Sequence, residues 1–346
     1  MKNFFYKNHQ EIVYRDKKLI YIPYKLLQTG LIKPNCSEEF LNICAFFNTF
    51  LIDRTQSIDT SMQILKPLPI DHKTSYSFAD ICSISAKKIV QKSLNKQQEI
   101  TLLWSGGIDS TTALIAIFKE LKTLNKTHLL KIILSQESID EFPIFFKHFI
   151  KKGLCYKCFT APIFTALEPQ SMTITGELGD QIFGGNMVYD YLDRTDIYDD
   201  YPAPFEKILF DYFQDQKSVQ NVMALSKVFI EQAPFSLKSL YDVLWWFSFA
   251  GKWQVVSFTM IAKSYQEGEM PLQLNENIIH FFDHNEFQKW AIQNRKNQTH
   301  YTVKNYKYQA KEYIYAFFPD QEYLRNKRKE KSLKKVLGAS KFSFLY

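Results

Sequence analysis

The sequence predicts an α/β protein, with a doubly wound, mostly parallel sheet, a helical C-terminal half and a small N-terminal α+β module. Between residues 98 and 176, short apolar runs typical of strands alternate with helical patterns, as in successive β-α-β units. Several of these apolar runs end at Ser or Gly, and parallel sheets bind ligands beyond the carboxyl ends of their strands. Strand patterns become rare after residue 201, which predicts the helical half.

The bulk composition is that of a folded protein in a reducing compartment. The chain has 346 residues, 46% of them hydrophobic and 23% charged, which excludes a disordered chain. Its five cysteines are few and odd in number, which disfavours a disulfide framework. The N-terminus lacks a signal-peptide pattern, and no apolar run reaches about 18 residues. We therefore expect a cytoplasmic protein without a membrane partner. The predicted domain boundary separates a small N-terminal module, residues 1–95, from residues 96–346.

The elements follow from local patterns. Residues 11–24 hold two β-type runs around a turn and predict a hairpin. Residues 65–71, with two prolines, predict an extended connection. Strands are predicted at 99–104, 129–134, 154–159 and 172–175. Helices are predicted at 40–52, 77–95, 110–121, 138–150, 205–213, 219–233, 237–249, 286–293 and 303–318.

A turn of small residues joins the first of the strands at 99–104 to the helix that follows it. Gly106 and Gly107 allow a sharp bend and close approach of a ligand, and Ser105 and Ser110 supply hydroxyl groups. The first amides of the helix and its dipole favour an anion here. Asp109 would repel phosphate unless a cation lies between them, and Mg²⁺ binds carboxylate and phosphate oxygens together. The turn therefore predicts a Mg²⁺–nucleotide or Mg²⁺–pyrophosphate site, against the alternative of an ordinary capped turn.

A second glycine-rich stretch begins where the strand at 172–175 ends. It carries Glu177 and Asp180, which share one side if a helical turn begins there. Like charges placed together need a cation or a proton between them. Asp109 and Asp180, at two strand ends, are therefore predicted to hold Mg²⁺ on a triphosphate, with Ser135 and Gly176 at neighbouring strand ends. The alternative is a glycine-rich loop exposed to solvent.

Both stretches resemble signatures of one enzyme family. Ser105-Gly106-Gly107-Ile108-Asp109-Ser110 is similar to the pyrophosphate-loop motif of the N-type ATP pyrophosphatases. Residues 176–185 (GELGDQIFGG) resemble the second signature of class B asparagine synthetases and β-lactam synthetases. More weakly, residues 281–283 resemble the family's Pro-Phe-Leu-Asp segment, and residues 305–314 resemble its late helix with a catalytic lysine, here Lys307. The resemblance covers roughly residues 96–335.

The resemblance implies an adenine nucleotide α-hydrolase-like fold and an ATP-dependent ligase that forms amides. Such enzymes adenylate a carboxylate, release pyrophosphate, and transfer the acyl group from AMP to ammonia or a small amine. ATP and Mg²⁺ are then expected, with Lys307 facing charge on the α-phosphoryl group and Glu177 orienting or deprotonating the amine. Asp109 and Asp180 are the implied metal ligands. The implied nucleotide-binding residues are Ser105, Gly106, Gly107, Asp109, Ser110, Ser135 and Gly176.

The sequence also departs from the family pattern. Lys2 stands where the glutamine-hydrolysing members have a nucleophilic Cys, so residues 1–95 are expected to lack glutaminase activity and to be at most a reduced remnant. Leu178 replaces a usual Gly, and Gln181 replaces a common acidic residue. These two changes argue against aspartate as the substrate.

Other features leave alternatives open. The basic run at 324–335 is a solvated tail, a cover over a phosphate-rich site, or a nucleic-acid contact. The last option corresponds to a nucleobase- or tRNA-modifying enzyme with the same loop, and a third possibility is a non-catalytic ATP-binding subunit. Cys155 and Cys158 have zinc or redox spacing, but we favour structural thiols. Trp245 and Trp246 are expected in the core, although the aromatic stretch around them could instead line an acyl pocket.

Overall fold

The computed structural model describes residues 37–58, 64–159, 167–168, 170–257, 277–295 and 301–330, and the backbone of residues 11–14 and 17–20. The strands are β1 (Glu11–Tyr14), β2 (Lys17–Ile20), β3 (Ile100–Leu103), β4 (Leu130–Leu134), β5 (Cys155–Cys158), β6 (Met172–Thr175) and β7 (Ile278–His280). The helices before β6 are α1 (Glu38–Phe46), α2 (Phe78–Lys96), α3 (Ile108–Thr123), α4 (Gln136–Glu141), α5 (Pro143–Phe145) and α6 (Lys151–Gly153). Those after β6 are α7 (Gly179–Phe183), α8 (Gly185–Tyr189), α9 (Pro202–Phe213), α10 (Gln216–Glu231), α11 (Leu240–Trp246), α12 (Asn285–Asn294), α13 (Tyr308–Phe317) and α14 (Gln321–Asn326).

Five parallel strands form the main sheet, in the order β5-β4-β3-β6-β7. Every residue of β3 and β6 is buried, whereas every residue of the edge strand β5 is exposed. From β3 the chain moves outward to β4 and β5, and then returns to place β6 on the other side of β3. This order is the one expected of a doubly wound sheet. Successive strands are added on one side of β3 and then on the other, and such sheets bind ligands at this switch point between β3 and β6.

Local sequence explains where the helices beside the sheet begin. Ser77 and Asp80 form a reciprocal capping box at the start of α2, with the Ser77 hydroxyl accepting from the Asp80 N–H and the Asp80 carboxylate accepting from the Ser77 N–H. Helix α3 starts after Gly107, which has no side chain to cap it, and within the described part of the chain its first N–H groups have no capping side chain. Since α3 follows β3 directly, those N–H groups lie at the carboxyl end of the sheet.

Residues 37–58 pack into the same buried apolar cluster as the sheet. Their anchor is a π-helical turn at Phe247–Gly251, a geometry often found near functional sites. Its carbonyl groups accept hydrogen bonds from the N-terminal segment: the Gly251 oxygen from the Ile52 N–H (2.8 Å) and the Ala250 oxygen from the Arg54 N–H (3.2 Å). The buried Arg54 side chain also donates to the Phe249 oxygen at 3.0 Å. The N-terminal segment is thus fixed on the helical half, and the predicted division at residue 95 stays a prediction.

The predicted α/β class with a mostly parallel sheet is confirmed, since all five strands of the main sheet are parallel, and Met172–Thr175 has the predicted bounds. The predicted hairpin is present as β1 and β2, while residues 21–24 lie outside the described part. Strands were expected to be rare after residue 201, and the described residues there hold one further parallel strand of the main sheet, β7. The helix predicted at 138–150 was also too simple, since α4 and α5 are followed by a π-helical turn at Phe146–Ile150 and then α6.

Trp245 and Trp246 are fully buried, as expected for core residues. Among the described residues, no helix combines the length and apolar character needed to cross a membrane.

Candidate functional site

A cavity of about 360 Å³ opens at the carboxyl ends of β3 and β6. Its volume lies within the range of small-molecule sites. The two glycine-rich stretches form much of its lining, together with residues of the N-terminal segment, of α4 and of the chain after α14. Most predicted site residues therefore meet at the switch point of the strand order, between β3 and β6.

The first stretch is held in shape by its own hydroxyl groups. The Ser110 hydroxyl accepts from the Ser105 N–H at 3.1 Å, lies 2.9 Å from the Ser105 hydroxyl, and donates to the Gly107 carbonyl oxygen at 3.2 Å. The Gly107 N–H donates to the Ser105 hydroxyl at 3.2 Å. These bonds fix the turn that leads into α3, whose uncapped N-terminus favours an anion.

The second stretch turns sharply before α7 begins. Leu178 adopts a left-handed backbone with φ of 72°, which costs a non-glycine residue free energy. The Glu177 N–H donates to the Thr175 hydroxyl at 3.2 Å, which fixes the chain as it leaves β6. After this turn Asp180 lies in the first turn of α7, with its carboxylate beside the cavity.

Two glycines allow the stretches to touch each other. A Cβ atom on Gly176 would lie 2.7 Å from the Ser110 nitrogen, and one on Gly179 would lie 2.5 Å from the Asp109 carboxyl carbon. Contacts this short do not occur for real Cβ atoms. The absence of side chains at Gly176 and Gly179 therefore brings the Asp109 carboxylate close to α7.

Lys307 joins the two predicted metal ligands. Its Nζ lies 2.5 Å from Asp109 Oδ2 and 2.5 Å from Asp180 Oδ1. A second ammonium group, that of Lys329, lies 2.5 Å from Asp180 Oδ2. The Lys307 side chain is only 3% exposed, so it belongs to the interior of the site rather than to a surface. Lys307 precedes α13 instead of lying within it, in a left-handed conformation with φ of 58°.

Charges in this cluster balance, since two ammonium groups face two carboxylates. Burial raises the pKa of Asp109 above its usual value, and the Lys307 ammonium only partly offsets this. Burial acts on Asp180 in the same direction, but the ammonium groups of Lys307 and Lys329 outweigh it and hold the Asp180 pKa below its usual range. Burial lowers the pKa of Lys307, but the two carboxylates outweigh that effect and raise it. Asp109 Oδ1 is buried and has no hydrogen-bond partner among the residues described.

The chain after α14 is fastened beside this cluster. Lys327 forms an ion pair with Glu141 at 3.1 Å, and the side chains of both residues are under a tenth exposed. The Lys311 ammonium donates to the Lys327 carbonyl oxygen at 3.2 Å. Residues 328–330 then line the cavity and place Lys329 on Asp180. Two basic residues of the run, Arg328 and Lys329, thus line the cavity, while residues 331–335 of the run lie outside the described part.

Most predicted site residues line this cavity, namely Ser105, Gly107, Asp109, Ser110, Gly176, Glu177, Asp180 and Lys307. Gly106 and Ser135 are not among the residues that line it. Ser135 instead caps α4, because its hydroxyl accepts from the Ser138 N–H at 3.3 Å. Ser138, one turn further along, does line the cavity.

No protein-family model and no curated protein matches this chain. Its function is therefore inferred from the geometry of its own residues.

Several charged residues that line the cavity had no individual role in the sequence-based prediction, among them Lys329, Glu141 and Lys252. Lys329 was one of several lysines in a basic run, and Glu141 had no signal beyond its helical pattern. Lys252 also lines the cavity, and burial lowers its pKa to about 8 although the carboxylates of Asp180 and Glu177 act in the opposite direction. Its position directly after the aromatic stretch around Trp245 was the available signal.

Proposed function

We propose that this protein is an ATP-dependent ligase that adenylates a carboxylic acid and transfers its acyl group to ammonia or a small amine. The observation that carries the proposal is the meeting of Asp109 and Asp180 on one ammonium group, in a cavity at the ends of β3 and β6. The two carboxylates come from the two stretches that resemble the family signatures. The strand order is compatible with the adenine nucleotide α-hydrolase-like fold that the resemblance implies.

The residues present fit a magnesium ion bound together with phosphate groups. Among the described residues, no group of three or more His, Cys, Asp or Glu side chains could hold a metal, so an all-protein metal cage has no support there. Mg²⁺ commonly uses one or two carboxylates and takes its other ligands from phosphate and water. Asp109 and Asp180 supply two carboxylates, and the unpartnered Asp109 Oδ1 is a buried acceptor that a cation would satisfy. When bound, Mg²⁺ would neutralise phosphate charge.

The triphosphate would lie against the turn at residues 105–110. The free N–H groups at the start of α3 and the hydroxyl groups of Ser105 and Ser110 suit phosphate oxygens. With a cation on these carboxylates, the ammonium groups of Lys307 and Lys329 would be available to phosphate oxygens. Two cations beside the phosphates would stabilise charge that develops in the transition state. This gives Lys307 the role that the family resemblance implies.

The reaction has two steps. An oxygen of the substrate carboxylate attacks the α-phosphorus of ATP, and the bond from that phosphorus to pyrophosphate breaks. The amine nitrogen then attacks the acyl carbon, the bond from this carbon to the AMP oxygen breaks, and the nitrogen loses a proton. Glu177 lines the cavity at the end of β6 and is the carboxylate assigned to orient the amine and accept that proton.

The direct test is exchange of labelled pyrophosphate into ATP, measured with a panel of carboxylic acids. We expect exchange with at least one acid, and formation of AMP rather than ADP when an amine is added. Asp109→Asn and Asp180→Asn should each abolish exchange, whereas Asp193→Asn, which changes an exposed carboxylate, should not. Release of ADP, or full exchange by Asp109→Asn, would contradict the proposal.

Glu177→Gln separates a ligase from a subunit that only binds ATP. In a ligase, this variant should still exchange pyrophosphate but transfer the acyl group to the amine slowly, because Glu177 acts in the second step. In a non-catalytic subunit, ATP binds without AMP formation, and the substitution changes nothing.

A further inference from the structure

The cavity has an apolar wall that the phosphate chemistry does not use. We name this the apolar wall; it consists of Phe46, Phe47, Met187, Tyr191 and Val256. Its members come from three parts of the chain, namely the end of α1, the region of α8, and the residues after the π-helical turn at Phe247–Gly251.

Aromatic contacts join three members of the apolar wall, since Phe46 packs on both Phe47 and Tyr191. The rings of Phe46 and Tyr191 are stacked with their centres 6.5 Å apart. The Phe47 ring packs on Phe247 with a centre-to-centre distance of 4.7 Å. Phe46, Phe47 and Tyr191 are each only partly buried, so part of each ring remains uncovered by the described chain. Aromatic rings of this kind supply large apolar contact areas to a ligand.

The wall is also fixed in place. Phe46 and Phe47 lie a few residues before Ile52 and Arg54, whose N–H groups bind the carbonyl groups of Gly251 and Ala250. Phe47 contacts the same turn through Phe247. Because these backbone hydrogen bonds and the Phe47–Phe247 contact hold the wall, it is pre-organised, and little conformational entropy is lost when a ligand binds against it.

Lys252 follows the same turn and places a charge beside the apolar wall. Glu177, Asp180 and Asp190 contribute negative potential at this lysine, and Lys329 contributes positive potential. Burial lowers the pKa of Lys252 to about 8, and the neighbouring carboxylates favour its charged form. A partly buried cation in a cavity that also holds an apolar surface and the proposed phosphate-binding turn suits a ligand with a carboxylate head and an apolar body.

We propose that the apolar wall holds the acyl body of the acid that is adenylated, that this acid is a monocarboxylic acid with an apolar body about the size of an aromatic ring, and that Phe46 and Phe47 determine specificity. This rests on the proposed ligase function. A polar body would lose hydration against these rings without gaining hydrogen bonds. A second carboxylate, as in aspartate or succinate, would be buried against apolar side chains.

The test measures binding and exchange separately. Binding of 3-phenylpropionate, hexanoate, acetate and succinate is measured by ligand-observed NMR, and pyrophosphate exchange is measured with each acid at saturating Mg²⁺ and ATP. The wild-type protein should bind and exchange best with 3-phenylpropionate. Phe46→Ala and Phe47→Ala should each lower kcat/KM for this acid by about tenfold, with little change for acetate, because one lost apolar contact is worth about that factor.

The matched control is Phe210→Ala, which removes an exposed ring on α9 that does not line the cavity. Phe47→Leu keeps an apolar side chain, so it remains informative if Phe47→Ala fails to fold, and it should show a smaller loss. An equal preference for all four acids, a preference for succinate, or no greater effect at Phe46 and Phe47 than at Phe210 would overturn the inference.

The outcomes also separate this inference from the ligase proposal. Exchange driven by acetate and succinate, without binding of the apolar acids, would retain adenylation and overturn the apolar wall as the acyl site. Binding of 3-phenylpropionate that depends on Phe47, without exchange by any acid, would retain the pocket and overturn adenylation. If the protein neither binds these acids nor exchanges pyrophosphate, both the ligase proposal and the apolar wall as the acyl site are overturned.

Discussion

Gly179→Ala is a perturbation that reaches the site without removing any charged or polar group. The added Cβ would lie 2.5 Å from the Asp109 carboxyl carbon and 2.7 and 2.9 Å from its two oxygens. Ordinary contact begins near 3.4 Å, so the carboxylate must move away by between 0.5 and 0.9 Å, the differences between 3.4 Å and these distances. The move weakens the contact of Asp109 with Lys307 and displaces Asp109 relative to Asp180.

The size of this displacement sets the expected effect. Metal ligands are held to within about 0.2 Å of their ideal distances, so the shift is several times the tolerance. Misplacement by about 1 Å in an active site costs on the order of 100-fold. We therefore expect Mg²⁺–ATP to bind about 10- to 100-fold more weakly. Folding should be largely retained, because alanine is favoured over glycine in a helix by about 0.5–1 kcal/mol.

The assay is calorimetric titration of the protein with Mg²⁺ and a non-hydrolysable ATP analogue, accompanied by a thermal melt. Gly153→Ala is the matched control, because a Cβ at Gly153 would meet nothing within 4 Å. Its affinity should equal that of the wild-type protein. Unchanged affinity in a folded Gly179→Ala protein would refute the idea that the position of Asp109 controls nucleotide binding.

Three further predictions concern the charged cluster. Lys307→Met should lower the free energy of unfolding at pH 7 by about 3 kcal/mol in urea titrations, because it leaves two carboxylates without their shared partner. The control Lys304→Met, which changes an exposed lysine, should leave the free energy of unfolding unchanged. Ion pairing outweighs burial and lowers the pKa of Asp180, so this stabilisation is present above the unfolded-state pKa of about 3.9 and is lost as the pH falls below it; an equal loss in Lys307→Met at pH 2 and pH 7 would contradict the assignment. Burial raises the pKa of Asp109, so the affinity for Mn²⁺ should begin to fall at a higher pH than for an ordinary aspartate as the pH is lowered. Electron paramagnetic resonance measures this affinity, and Asp109→Asn should remove the pH dependence. Lys329→Gln should weaken binding of the Mg²⁺–ATP analogue about tenfold by calorimetry, as expected for a lost charged contact of about 1.4 kcal/mol. An equal loss of affinity in Arg325→Gln, which changes an exposed arginine, would instead indicate a non-specific effect of net charge.

Local sequence was sufficient where a structure depends on near neighbours. The strand at Met172–Thr175 has the predicted bounds, and the helix predicted from residue 77 begins at Phe78 with Ser77 as its cap, because strand burial and helix starts depend on residues a few positions apart. Trp245 and Trp246 were correctly expected in the core. The meeting of Asp109 with Asp180 followed from topology, since the carboxyl ends of parallel strands share one edge of the sheet.

Other features depend on partners that no local pattern encodes. The strand β7 has three residues, too few for periodicity, and exists because β6 offers it an edge. Ser135 looked like a ligand-binding residue at a strand end, but its hydroxyl caps α4. Lys329 binds a carboxylate 149 residues away in sequence, so its role was hidden within a run of similar charges. The left-handed backbone of Lys307 likewise follows from tertiary contacts that override helix propensity.

The π-helical turn at Phe247–Gly251 sets a practical limit on how this protein can be shortened. Its carbonyl oxygens are buried and are satisfied by the backbone and side chain of residues 52–54. A fragment that began at residue 96 would keep every predicted phosphate- and metal-binding residue, yet it would strip partners from buried acceptors, at roughly 1–3 kcal/mol for each. Fragments made for crystallisation or assay should therefore start before residue 37, even when only nucleotide binding is studied.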